Sequence, residues 1–215
     1  MAKIKRENLN SKVYAALKQM IANYRFKPGA RINVEEITKE LGVSRTPVWE
    51  AIRRLEQEGL VVNTPNKGVF MNILTPEEAL DLYAVREVLE GMAARLAAER
   101  IDPKTLAKLD KSLEKQVKII SNGDLVAYSQ VDFDFHASIY EASGNEFLRE
   151  LLENIKNKMR PISMHVGDFL QTFYEDHVRL VGALHRGDSQ GAEQALREHN
   201  QNVMRILRDE VKSLV

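Results

Sequence analysis

The chain has 215 residues, 44% hydrophobic and 29% charged, with 31 basic and 31 acidic side chains and no cysteine. That length buries a substantial core as one large domain or two small ones, and the composition argues against a disordered chain. Lack of cysteine excludes disulfide and thiolate chemistry, and no apolar run approaches the roughly 18 residues of a membrane span.

The neutral total averages two unlike parts. Residues 1–75 hold 13 Lys and Arg against 7 Asp and Glu, a balance of +6, and the remainder carries −6. A basic module made for a polyanion, joined to an acidic module with another task, is the expectation. No apolar stretch follows the charged start of the chain, so a cytoplasmic protein is expected.

In chain order, "LNSKVYAALKQMIANYRF" places Val13, Leu17, Met20 and Ile21 at helical spacing, and Pro28 and Gly29 in "KPGARIN" end it in a turn. "VEEITKEL" forms a short helix closed by Gly42. Ser44 or Thr46 then caps a second helix running to about Glu58, with Pro47 tolerated in its first turn. "LVVNTPNKGVFMNI" alternates around a Pro-Asn-Lys-Gly turn and reads as a β-hairpin. From Thr75 the character changes. Thr75, Pro76 and Glu78 make a capping-box start, Asp102 and Pro103 start another helix, and further helical segments with short Gly, Asp and Asn connectors follow to the end. The expected architecture is mainly α, with a winged helix-turn-helix over residues 1–74 and an all-α bundle over 75–215.

Helix, helix, turn, helix and hairpin is the winged arrangement, in which the second helix of the motif enters the major groove of double-stranded DNA. On that helix Val48, Ala51, Ile52 and Leu55 form the inward stripe, and Arg45, Trp49 and Arg53 follow at four-residue steps opposite. Arginine there bonds two acceptors of a guanine, while Ser44 and Thr46 suit phosphate or base contacts. Lys67 and Gly68 sit at the hairpin tip, within reach of phosphates or the minor groove.

In the acidic part, Asp132 and His136 lie four residues apart on one expected helix and share a face. His177 and His199 are centred on the break at Gly187 and Asp188, so antiparallel helices bring them level. One aspartate and three histidines converging in a bundle core make a site for a first-row divalent metal: zinc first, with nickel, manganese or iron as alternatives. His165 and His185 fit no such geometry. Aliphatic and aromatic residues nearby, Phe133, Phe135, Met164 and Phe169, read as core.

"INVEEITKELGVSRTPVWEAIRRLEQEGLVVNTPNKGVF" resembles the DNA-binding domain of the GntR family of bacterial transcription regulators. That resemblance carries DNA contacts onto Ser44, Arg45, Thr46, Lys67 and Gly68, with Arg53 in its usual place. One position departs: the family usually has arginine where this chain has Trp49, which cannot make a bidentate guanine contact. Trp49 either packs on a thymine methyl or buries itself against the wing or a partner.

"LYAVREVLEGMAARLAAER", "DFDFHASIYEASGN", "EDHVRLVGALHRGD" and "LREHN" resemble the FCD ligand-binding domain of the FadR branch of that family. Its metal-ligand pattern maps onto Asp132, His136, His177 and His199. The resemblance implies a divalent metal open to a small carboxylate effector, and a homodimer on a palindromic operator. Arg86 is a candidate effector-binding residue and Arg160 a weaker one; either instead makes a structural ion pair, Arg86 with Glu90. Two other readings stay open: a purely structural metal site, and a metal-dependent hydrolase, against which stands the lack of a clear glutamate base at fixed spacing from the ligands.

Overall fold

The computed structural model describes residues 2–159 and 169–213. The chain forms two compact units, residues 1–73 and 74–215.

In the first unit α1 (Ala2–Ala22) leads to β1 (Arg31–Ile32), α2 (Val34–Leu41), α3 (Arg45–Gln57), β2 (Val61–Thr64) and β3 (Gly68–Met71). Two features differ from expectation. α1 begins well before Leu9, and the segment read as a simple turn contains β1, which pairs antiparallel with β3, Arg31 opposite Phe70 and Ile32 opposite Val69. A two-residue strand has no period to read; its signal is the long-range ladder that β3 offers it. The sheet order is therefore β1-β3-β2, and Ile32, Val61, Val69 and Met71 face a core shared with Val13, Leu17, Ile37, Val48 and Ile52.

Local chemistry fixes the helix that carries the arginines. Asn33 caps α2 by accepting from the amides of Glu35 and Glu36. Gly42 closes α2 in the left-handed region (φ 63°), where a side chain is strained, and the chain turns directly into α3. Ser44 occupies the N-cap of α3 without a side-chain capping bond, so its hydroxyl stays available. At the hairpin tip Pro65 and Asn66 (φ 61°) turn the chain, and Lys67 N–H bonds the Thr64 carbonyl at 3.1 Å.

The second unit comprises α4 (Pro76–Arg100), α5 (Pro103–Asn122), α6 (Leu125–Ala142), α7 (Glu146–Met159), α8 (Leu170–His185) and α9 (Ser189–Ser213). Thr75 and Glu78 make the full capping box on α4, and Asp102 and Asp124 cap α5 and α6. α4 packs most extensively on α9, and α8 on α9 through the tight turn at Gly187. Leu109, Phe135, Ile139, Leu152, Leu180, Leu184 and Leu196 form the main core, beside which the polar centre described next is enclosed. No helix among the described residues is long and apolar enough to cross a membrane.

Candidate metal centre and nucleic-acid interface

Three helices deliver three imidazoles to one buried point. His136 comes from α6, His177 from α8 and His199 from α9, and one ring nitrogen of each lies within 4.8 Å of the other two. His177 and His199 stand level across the Gly187 turn, their rings 4.9 Å apart. Asp132 lies one turn before His136, with Oδ1 at 3.5 Å from His136 Nε2 and 3.7 Å from His177 Nε2. The four residues singled out by spacing are thus brought together.

Outer partners aim two of the rings. His177 Nδ1 lies 2.9 Å from Gln116 Oε1, and His199 Nδ1 lies 3.3 Å from Asp176 Oδ2. Each Nδ1–H donates to its oxygen, which leaves each Nε2 lone pair for the centre. Asp176 is steadied in turn by Arg179 (2.6 Å) and Asn202 (3.1 Å). His136 Nδ1 lies 3.2 Å from Glu90 Oε1, off the line of a hydrogen bond. Phe135 stacks on the His177 ring at 4.3 Å and excludes water from that side.

The donor set fits a divalent metal. Both nitrogens of His136 and Nε2 of His177 are buried with no hydrogen-bond partner among the described residues, a costly state for polar atoms unless a ligand meets the lone pair of each ring. Burial, with the neighbouring imidazoles adding to it, holds the His177 pKa well below the usual histidine range. Burial also lowers that of His199, against the pull of Asp176. These two rings are therefore neutral near pH 7, the form that ligates metal. Burial pushes the Asp132 carboxyl up, but Lys156, His136 and His177 more than offset this and hold it well below the carboxylate range.

Of the groups around the centre, only the Arg86–Glu90 pair was read from the sequence. Lys156 of α7 places Nζ 2.9 Å from Asp132 Oδ2 and 3.0 Å from its carbonyl, and burial brings this ammonium down to about 8 despite Asp132. Glu90, fully enclosed, accepts from Arg86 at 2.8 Å, from Asn200 at 2.6 Å and from the Tyr140 hydroxyl. Arg86 therefore sits in the structural ion pair, 4% exposed, with its guanidinium over the Tyr83 ring. It also lines a cavity of about 50 Å³ shared with Asp132 and His199. His185 pairs with Asp110 at the surface, outside the centre. Phe135 is core, whereas Phe133 and Phe169 are half-buried. Arg160, Met164 and His165 lie outside the described residues.

In the first unit, Ser44, Arg45, Thr46, Arg53 and Lys67 are all exposed, and Gly68 is half-buried at the wing. A Cβ on Gly68 would stand 3.1 Å from the Arg31 guanidinium, in a backbone conformation (φ 111°) that L side chains rarely adopt. Arg45 pairs with Glu35 of α2 at 2.8 Å. Trp49 is half-buried rather than exposed, packed on the core and lining a cleft of about 410 Å³ with Arg31, Arg45 and Gly68. The indole thus packs on the core of this unit and borders the cleft that the wing residue Gly68 also lines.

Comparison with known proteins agrees with both halves. Residues 9–71 match the profile of bacterial regulatory proteins of the gntR family, and residues 81–202 match the FCD domain. The chain is 33% identical over 193 residues, 86% of this chain and 85% of that protein, to the HTH-type transcriptional regulator YdhC of Bacillus subtilis (strain 168). It is 34% identical to the Nta operon transcriptional regulator of Aminobacter aminovorans, covering 77% of this chain and 78% of that one. The solved structure of Escherichia coli McbR/YncC superposes with a TM-score of 0.84 at 28% identity, over 94% of this chain and 98% of that one. The chain belongs to the GntR family, and is a DNA-binding transcriptional regulator that carries an FCD domain.

Proposed function

We propose that Asp132, His136, His177 and His199 hold a divalent transition metal, zinc first, and that a small carboxylate bound beside it modulates operator binding. The observation that carries this is the buried trio of imidazoles, in which both nitrogens of His136 and Nε2 of His177 have no hydrogen-bond partner among the described residues. When bound, the metal supplies positive charge and coordination positions for an anion. The protein's own groups do the rest. Gln116 and Asp176 fix two ring orientations, Lys156 holds Asp132, and Phe135 and Phe173 pack on the His177 and His199 rings.

On the DNA side, Ser44, Arg45, Thr46, Arg53, Lys67 and Gly68 are the proposed contacts, with Trp49 changing what is read beside them. A homodimer on a palindromic operator is supported by α4. Its core face is fully used, yet Val85, Val88 and Met92 form an exposed apolar stripe on the opposite side, 45–53% accessible. A helix apolar on both sides calls for a second covering surface, and a second copy supplies one. Carboxylate binding then shifts the population of operator-competent dimers.

The test is operator affinity by fluorescence anisotropy on metal-loaded dimer, with chelator and with a panel of small carboxylates. A severalfold change with chelator or acid supports the switch. Affinity indifferent to every metal and acid tried would leave only a structural site in a DNA-binding protein.

A further inference from the structure

The three-stranded sheet of the first unit turns Ile32, Val61, Val69 and Met71 to the core, so the residues that alternate with them line its outer face. Arg31 is one of these. It stands opposite Phe70 on β3, and Gly68 lies two residues from Phe70 on the same strand and face. Because Gly68 has no side chain, the Arg31 guanidinium lies over it. A Cβ on Gly68 would meet Arg31 Nε, Nη2 and Cζ at 3.1, 3.3 and 3.6 Å. Arg31 thus supplies a long cationic side chain at a wing position that has none of its own.

That charge is uncommitted. Elsewhere in this unit Lys18 pairs with Glu58, Arg25 with Glu40 and Arg45 with Glu35, while Arg54 lies over the Tyr14 ring. Arg31 is exposed, and its guanidinium has no ion pair or hydrogen bond among the described residues. The polar groups beside it in the cleft are engaged. Asn33 Oδ1 takes the amides of Glu35 and Glu36, the Glu35 carboxylate takes Arg45, and the Trp49 indole offers a donor only.

Arg45 and Trp49 of α3 line this cleft together with Arg31 and Gly68. When α3 enters the major groove, a cation on the neighbouring wing faces the adjoining minor groove. A·T-rich sequence narrows that groove and deepens its negative potential, which attracts arginine. The guanidinium is planar and more weakly hydrated than an ammonium, so it enters such a groove with less loss of solvation.

We propose that Arg31, reaching over Gly68, reads the minor groove: its guanidinium enters beside the base pairs met by α3 and selects A·T there. The inference rests on the reading that the wing touches DNA, and adds a residue from β1 and the sequence it selects. Lys67, an ammonium at the hairpin tip, meets phosphate and selects nothing.

The experiment starts from duplexes enriched by the full-length parent from a random library. In the enriched operator, A·T pairs flanking the α3 contacts are replaced by G·C, and separately by inosine·cytosine, which keeps the major-groove face of G·C but lacks its minor-groove amino group. Affinities of parent, Arg31→Ala and Lys67→Ala for the three duplexes are measured by anisotropy, with Tm on each protein. The parent should bind the A·T and inosine·cytosine duplexes alike and the G·C duplex about fivefold or more weakly. Arg31→Ala should bind all three within about twofold of one another, with the parent's Tm, since the side chain is exposed. Lys67→Ala should weaken all three by a similar factor. An enriched set without flanking A·T overturns the proposal. So does inosine·cytosine behaving like G·C, which places the discrimination in the major groove, or a flank preference that survives Arg31→Ala. An equal loss across the three duplexes in Arg31→Ala marks a phosphate contact and overturns it too. If neither variant changes affinity for any duplex, the wing stays off the DNA and that wider reading falls as well.

Discussion

Removing the Arg86–Glu90 pair one member at a time tests the polar network that borders the histidine centre. Glu90 is wholly buried and accepts from Arg86, Asn200 and Tyr140. Burial alone would raise its pKa, but Arg86 and then His136 hold it well below the carboxylate range. Arg86→Met leaves that carboxylate with neutral donors only, and Glu90→Gln leaves a buried guanidinium without its counter-charge. Breaking a buried pair this way costs about 3–5 kcal/mol, which for a chain of this size lowers Tm by roughly 6–20 °C. The double variant Arg86→Met/Glu90→Gln removes both charges, so its loss should fall short of the sum by about 1.5 kcal/mol or more. Urea denaturation monitored by circular dichroism, on metal-free protein, measures all three. Additive losses, agreeing within about 0.5 kcal/mol, would refute the claim that these residues act as a pair.

Other consequences follow from the same geometry. Because the folded-state pKa values of His177 and His199 lie below the unfolded value, the unfolded chain binds more protons as pH falls through the ordinary histidine range near 6.5. Stability of the metal-free protein should therefore drop between about pH 7.5 and 5.5. Asp132 and Glu90, depressed in the folded state, add a separate loss only as pH falls through about 4.5 and below, and a Tm-versus-pH curve lacking the upper step would contradict the neutral-imidazole reading. Glu35 holds Arg45, a proposed DNA contact, in an exposed pair worth about 1 kcal/mol or less, so Glu35→Ala should tighten operator binding by up to about fivefold in an anisotropy titration. Weaker binding would show that the pair positions Arg45 instead. Val88→Glu puts a charge into the exposed stripe of α4 and should convert the proposed dimer to monomer in sedimentation equilibrium. An intact dimer would place the interface elsewhere.

Much of this was readable from spacing. Asp132 and His136 are fixed by one helical turn, and His177 and His199 by their symmetry about Gly187, because helix geometry and a short turn leave little freedom. The partners were less legible because they come from distant elements. Gln116 reaches His177 across 61 positions, and Lys156 reaches Asp132 across 24. Each nonetheless left a trace, a polar residue in the core phase of its helix: Gln116 seven after Leu109, and Lys156 four after Leu152. Glu90 and Asn200 meet across 110 positions on α4 and α9, where only packing shows which faces oppose. β1 escaped notice because two residues carry no period, and the half-burial of Trp49 because its four-residue step marks a helix face without saying that the indole packs on the core.

The central claim is that the buried imidazoles hold a metal, and elemental analysis of tag-free protein beside His136→Ala and His177→Ala tests it most directly. About one equivalent of a transition metal per chain in the parent, lost in both variants, is the predicted result. A parent that contains none, even after reconstitution, with both variants indistinguishable from it, would contradict the account.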